Sequence, residues 1–273
     1  LSDLGLLGVV FIVPLCMGGR SALGKLVFVG FAILFAVSWL LRQCVVADGR
    51  WRRTAGQWIL LAGVGLLLLQ LTPLPDAVFR ALAPKTSELL PLWSATGEGA
   101  RAGFGTWNRI TLNPTATRGA VVLLLAYGMT FLVVVQRASR LSDVERMLKW
   151  LALAATGLGL IALVQYFAPN GKFLWLLEHP YRAADEVQAS FENRNHFAHM
   201  MALSVGPLCA CLWAVLRRSA ERRGMSARAN SRTTTLTSVA PAAFLLAIGL
   251  VLFAGFMSLS RGGALAIAAA MVV

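Results

Sequence analysis

Ser190–Arg218 reads SFENRNHFAHMMALSVGPLCACLWAVLRR. Asparagines, an arginine and two histidines crowd its start, the apolar run His196–Leu216 fills its middle, and Arg217 and Arg218 close it. A bilayer core takes about 20 helical residues, so the middle has the length of one crossing. Lys and Arg collect on the cytoplasmic side of a span, so the arginine pair also gives the crossing a direction. On that reading the polar start faces outward.

Working outward from it, further apolar runs lie at Leu4–Met17, Ala22–Leu41, Thr54–Leu71, Gly119–Gln136, Leu148–Ala168, Ala240–Met257 and Ala264 onward. Together they predict an all-α, polytopic transmembrane bundle of eight helices, the first and last short or incomplete. None alternates with the two-residue period of a barrel strand. Leu4–Met17 is short enough for a signal-peptide core, but it lacks a basic leader and a small-residue cleavage pattern, so it reads as a short span. The chain starts at Leu1 rather than Met, and its last run stops at Val273. Residues 1–273 are therefore expected to be one transmembrane domain with cut ends.

The composition agrees. Of the 273 residues, 58% are hydrophobic and 14% charged, against about 45–50% and about 25% in a soluble domain. The net charge of +13 is spread over the flanks of the apolar runs and forms no single stripe, which excludes nucleic acid as the expected partner. Basic residues dominate the connections Arg42–Arg53, Arg137–Lys149 and Arg217–Arg232, the last with six arginines against Glu221. These alternate along the chain, so they should share the cytoplasmic side. The long outer loop 72–118 and the acidic outer loop 169–192 should then face the opposite side, with 217–239 a basic inner loop attracted to anionic membrane lipid. Short amphipathic helices are expected at Asp76–Ala83 and Thr86–Trp93, with Trp93 and Trp107 at headgroup depth.

Cys16, Cys44, Cys209 and Cys211 lie in or beside apolar runs and show no CxxC or CxxH metal spacing. They read as small packing residues. No metal or cofactor is expected.

The polar residues at the span mouths remain. Asn193 or Asn195 would cap a helix starting nearby, but a cap does not account for Arg194, His196 and His199 together. His196 and His199 share a helix face, and His199 lies about one turn into the membrane, where an ionisable group is costly and points to function. A second mouth repeats the design. In SLSRGG, Ser258, Ser260 and Arg261 precede two glycines and the last helix. Helix N-termini favour anions, and a guanidinium donates to phosphate through a planar fork. Arg261 at a helix N-terminus is unfavourable for the arginine itself, and a bound anion relieves it. Arg182 in the preceding loop can close over the same place. The alternative is that each arginine merely snorkels to water. Two arginine-bearing mouths on one side favour a shared anionic ligand such as phosphate.

These residues resemble the O-antigen ligase and polymerase superfamily of bacterial envelope enzymes. SFENRNHFAHMMAL is similar to that family's N-x-N element at the outer start of a helix, SLSRGGALAI to its S-x-S-R-G-G element, and ITLNPTATRGAVVLLLAYG, Ile110–Gly128, to its P-x-A-T segment. The resemblance covers roughly Ile110–Val273. It implies a transferase of the bacterial inner membrane with its site facing the periplasm. Such an enzyme moves a glycan from an undecaprenyl-diphosphate carrier to a lipid A core, a growing glycan or a protein hydroxyl. It needs no nucleotide sugar and no metal. Carried over, Arg261, Arg182 and Arg194 would bind the diphosphate. Asn193, Asn195, His199, Ser258 and Ser260 would shape the mouth. The family's usual base lies in a later outer loop, expected beyond Val273, which leaves His196 as a catalytic candidate by position. Two other classes compete: a lipid-linked oligosaccharide flippase or transporter, and a non-catalytic membrane scaffold. Transporters favour mid-membrane charges and paired broken helices. Charges at the outer helix ends favour surface chemistry.

Overall fold

The computed structural model describes residues 2–45, 51–89, 107–172, 174–176, 186–226 and 236–272. Among them the chain is helical and no strand occurs. The helices are α1 (Ser2–Leu7, extended by a π-helical turn Gly8–Ile12), α2 (Ala22–Val45), α3 (Ala55–Leu71), α4 (Asp76–Leu82), α5 (Pro84–Leu89), α6 (Pro114–Arg137), α7 (Leu141–Phe167), α8 (Arg194–Ser226), α9 (Leu236–Met257) and α10 (Arg261–Val272).

Every expected apolar run contributes a helix among the described residues. Among the described residues five helices are long and apolar enough to cross a membrane: α2, α6, α7, α8 and α9. The other runs form the shorter apolar helices Asp3–Ile12, Ala55–Leu71 and Arg261–Met271. α3 illustrates the difference. Its 17 residues rise about 25 Å, short of an untilted hydrocarbon core of about 30 Å. Of the expected short helices of the loop 72–118, the first is present as α4, and α5 overlaps the second over Thr86–Leu89, its remainder lying outside the described residues. α5 begins at Pro84, because proline is suited to a first helical position. Trp93 lies outside the described residues.

The chain divides into two compact units, 1–39 with 137–273, and 40–136. In the second unit α3 and α6 run antiparallel. A Cβ on Gly56 would overlap the Phe131 ring, one on Gly128 the Leu60 side chain, and one on Gly63 would lie 3.2 Å from Leu124. Small residues let these backbones approach, which is how helices associate without water to expel. Asn113 caps α6 by accepting from the Ala116 amide at 3.0 Å, with Pro114 at the first helical position.

The first unit holds the candidate site. α7 presents Ala152, Ala155, Gly159 and Ala162 along one seam, spaced three and four apart on a single face. A Cβ on Gly159 would lie 2.9 Å from Leu250 and 3.5 Å from the Met201 sulfur, so α7, α8 and α9 meet there. Phe197, Met201, Leu208 and Val251 are fully buried between them. α7 and α8 are antiparallel, because Glu145 near the start of α7 pairs with Arg218 near the end of α8. α8 and α10 are parallel, because Gly263 is packed against Ala198. α1 lies on α2, where Gly5 meets Phe35 and Gly8 meets Phe31. One end of this unit therefore carries the ion pairs Arg137–Asp3, Arg146–Asp143 and Arg218–Glu145. The other carries the α1–α2 turn and the starts of α8 and α10.

Candidate functional site

The two polar mouths meet. Asn193 caps α8 as expected: its side-chain Oδ1 accepts from the Asn195 amide at 2.8 Å and its carbonyl from the His196 amide at 3.0 Å. That leaves the Asn195 side chain to point sideways, where its Oδ1 accepts the Ser260 hydroxyl at 2.8 Å. The same Ser260 Oγ accepts from the Gly263 amide at 2.9 Å and so caps α10. Ser258 donates to the Gly255 carbonyl at 2.6 Å and ends α9. Leu259 between the two serines takes φ 52°, an uncommon conformation for a branched residue. Ser258 and Ser260 are both buried. Both serines are framework: they turn the chain sharply between α9 and α10 and fasten it to α8.

Glycines complete that turn. A Cβ on Gly263 would overlap the Ala198 methyl, whereas one on Gly262 would only touch His199 Nε2 at 3.8 Å. The close approach needs Gly263 and sets Arg261 at the first position of α10, exposed. It has no ion-pair partner among the described residues.

The expected arginines fare differently. Arg194 forms an ion pair with Glu186, which anchors the loop before α8 to the helix start. Arg182 lies outside the described residues. A cation that sequence reasoning missed takes a place here: Arg20, at the end of the α1–α2 turn, reaches His196 Nε2 with its Nη1 at 2.8 Å. The turn is held there by Ser190, whose hydroxyl donates to the Pro14 carbonyl at 2.6 Å, and by Gly18, which sits against the Phe191 ring. Met17, Gly18 and Gly19 all have positive φ, at 53°, 63° and 75°, so the CMGGR sequence bends back sharply. Its local signal was the glycine pair. Its destination, a residue 176 positions away, had none.

His199 is exposed and lines one wall of an apolar groove of about 920 Å³ between α8, α9 and α10, with Leu203, Gly206, Ile248, Leu252 and Ala266 among its other walls. Gly206 leaves one stretch of that wall without a side chain, and Pro207 follows it inside α8. The groove is hydrocarbon-like along its length and polar at the His199 end. Among the described residues no three His, Cys, Asp or Glu side chains gather as a metal cluster would. Comparison of the chain with protein-family models, with curated proteins and with solved structures finds no match.

Proposed function

We propose that the chain is a multi-pass membrane transferase that takes a glycan from an undecaprenyl-diphosphate carrier, as the resemblance of its NRNHFAHM and SLSRGG segments to the O-antigen ligases and polymerases implies. The observation that carries the reading is the Ser260–Asn195 hydrogen bond, 2.8 Å long. It joins segments 65 residues apart that the family would use in one site. The groove adds to it. A hydrocarbon channel opening beside a cationic mouth fits a ligand with an apolar tail and an anionic head. The chemistry asks for little more, because the diphosphate is already a good leaving group. Cations must hold its charge, and a base must take the proton of the attacking hydroxyl. Arg261 serves the first task. His196 serves the second only when Nε2 is released from Arg20. The basic connections support a periplasmic orientation of this mouth in a bacterial inner membrane.

The test is deletion of the gene in its host, complemented by wild type or by Arg261→Ala at equal expression. Surface glycan and carrier-linked glycan are read on gels. Loss of the first with accumulation of the second supports transfer. Wild-type behaviour of Arg261→Ala removes the anion role. Glycan crossing the membrane of reconstituted vesicles with no new glycosidic bond would assign the chain to transport.

A further inference from the structure

Arg20 donates to His196 Nε2 at 2.8 Å. A guanidinium carries no lone pair, so His196 is the acceptor: Nε2 bare, the ring proton on Nδ1, the imidazole uncharged. The bond therefore exists in one charge state alone. A proton on Nε2 takes the lone pair that Arg20 uses and sets an imidazolium against a guanidinium. Imidazole is the side chain that ordinarily changes charge between about pH 5 and pH 8, so this contact answers to protons.

Three ties hold the α1–α2 turn to the segment that starts α8. Ser190 donates to the Pro14 carbonyl at 2.6 Å, and Gly18 sits against the Phe191 ring. Neither of these titrates, and Ser190 and Phe191 are buried. The Arg20–His196 bond is the third, between two exposed residues that protons reach.

The surrounding charges do little to relieve a second cation. On α8 itself Arg194 is occupied by Glu186, and His199 follows one turn later. Lys25 on α2, Lys172 after α7 and Arg261 at the start of α10 are exposed cations, and α9 carries no titratable group. Cys16 in the turn and Tyr166 on α7 belong to classes that ordinarily ionise at higher pH. Glu192, exposed in the loop before α8, can accept one of the two cations, and the other then leaves.

We propose that His196 is a proton-operated latch on the α1–α2 turn. Neutral, it holds Arg20 against the first turn of α8. Protonated, it expels Arg20 while Ser190 and Phe191 keep the turn seated. Opening by a proton thus frees a cation at the mouth and leaves Nε2 without its lone pair. The proposal is independent of what the mouth binds.

The experiment is a double-mutant cycle on the full chain in detergent, Arg20→Met against His196→Ala, with denaturation followed at about pH 8 and about pH 5. Groups outside the pair titrate in all four proteins and cancel. At the higher pH the pair is expected to couple favourably, by about three- to tenfold in the unfolding equilibrium constant. At the lower pH the coupling should vanish or change sign. His196→Gln is the control, because its amide oxygen can accept from Arg20 and takes no proton in this range. In a His196→Gln background, Arg20→Met should cost the same at both pH values. Should His196→Ala not fold, Arg20→Met alone serves: it should lose stability at the higher pH and not at the lower, and an equal loss at both counts against the latch. Equal coupling at both pH values in the His196→Ala cycle, or none at either, overturns the proposal. So does a cost in the His196→Gln background that falls with pH, since the titrating group is then not His196.

Discussion

Ser260 donates its hydroxyl to Asn195 Oδ1 across 2.8 Å and accepts the Gly263 amide on the same oxygen at 2.9 Å. One buried atom thereby caps α10 and joins it to α8. The two bonds should separate by mutation. Ser260→Ala loses the cap and the link, and Asn195→Ala loses the link alone. Caps cost about 1 kcal/mol and a neutral hydrogen bond about 1 kcal/mol. Ser260→Ala is therefore expected to destabilise by about 2 kcal/mol and Asn195→Ala by about 1 kcal/mol. The double variant should resemble Ser260→Ala, because neighbours in one network are not additive. Denaturation in detergent checks this. Additive losses would mean that the two side chains are not coupled.

The neighbouring glycines give a sharper contrast. At Gly263 an added methyl meets the Ala198 methyl and lies 3.0 Å from Ser260 Oγ, while at Gly262 the nearest atom is 3.8 Å away. Overpacking of a tight contact costs about 1–3 kcal/mol. Gly263→Ala should lower the melting temperature markedly and Gly262→Ala should not. Ala198→Gly should restore much of the Gly263→Ala loss. Equal melting of the two alanine variants would show that α8 and α10 do not meet at Gly263.

Gly18 combines two constraints, φ 63° and the Phe191 ring 2.5 Å from where a Cβ would stand. Gly18→Ala should detach the α1–α2 turn from the loop before α8. It is expected to cost about 1–3 kcal/mol. It should also release the Arg20–His196 contact, since Arg20 rides on this turn. An unchanged His196 nitrogen spectrum in a folded Gly18→Ala protein would show that the turn does not set Arg20 on His196.

His196 carries a spectroscopic signature of Arg20. With the guanidinium on Nε2, the imidazole is the Nδ1–H tautomer. Nitrogen NMR of histidine-labelled protein at alkaline pH should show a protonated Nδ1 for His196, and Arg20→Met should release that preference. A protonated Nε2 in wild type would place Arg20 elsewhere.

Helices were legible because the apolar runs are continuous and most of their ends are marked by arginine, asparagine or proline. The number of crossings was less so, since α3 is apolar but only 17 residues long. Asn193 as a cap and the proximity of the two mouths followed from local chemistry and charge alternation along the chain. Arg20 did not, because its role depends on a tertiary contact between a glycine turn and the α8 start. Nor did the Glu186–Arg194 pair, whose acidic partner looked like one of several carboxylates in an outer loop.

The two ends of the first unit differ in charge, and that difference predicts sidedness. Arg137–Asp3, Arg146–Asp143 and Arg218–Glu145 gather at one end, with Ser139 beside them. Such partly exposed pairs are worth about 0–1 kcal/mol each, and the basic residues among them predict that this end faces the cytoplasm. Asn170, just beyond α7, lies at the opposite end. In a background with Cys16, Cys44, Cys209 and Cys211 replaced, Asn170→Cys should react with an impermeant maleimide on intact spheroplasts. Ser139→Cys should react only after the membrane is opened. The reverse pattern would put the mouth of α8 and α10 in the cytoplasm, where a periplasmic glycan acceptor cannot reach it, and would end the transferase reading whatever the arginines bind.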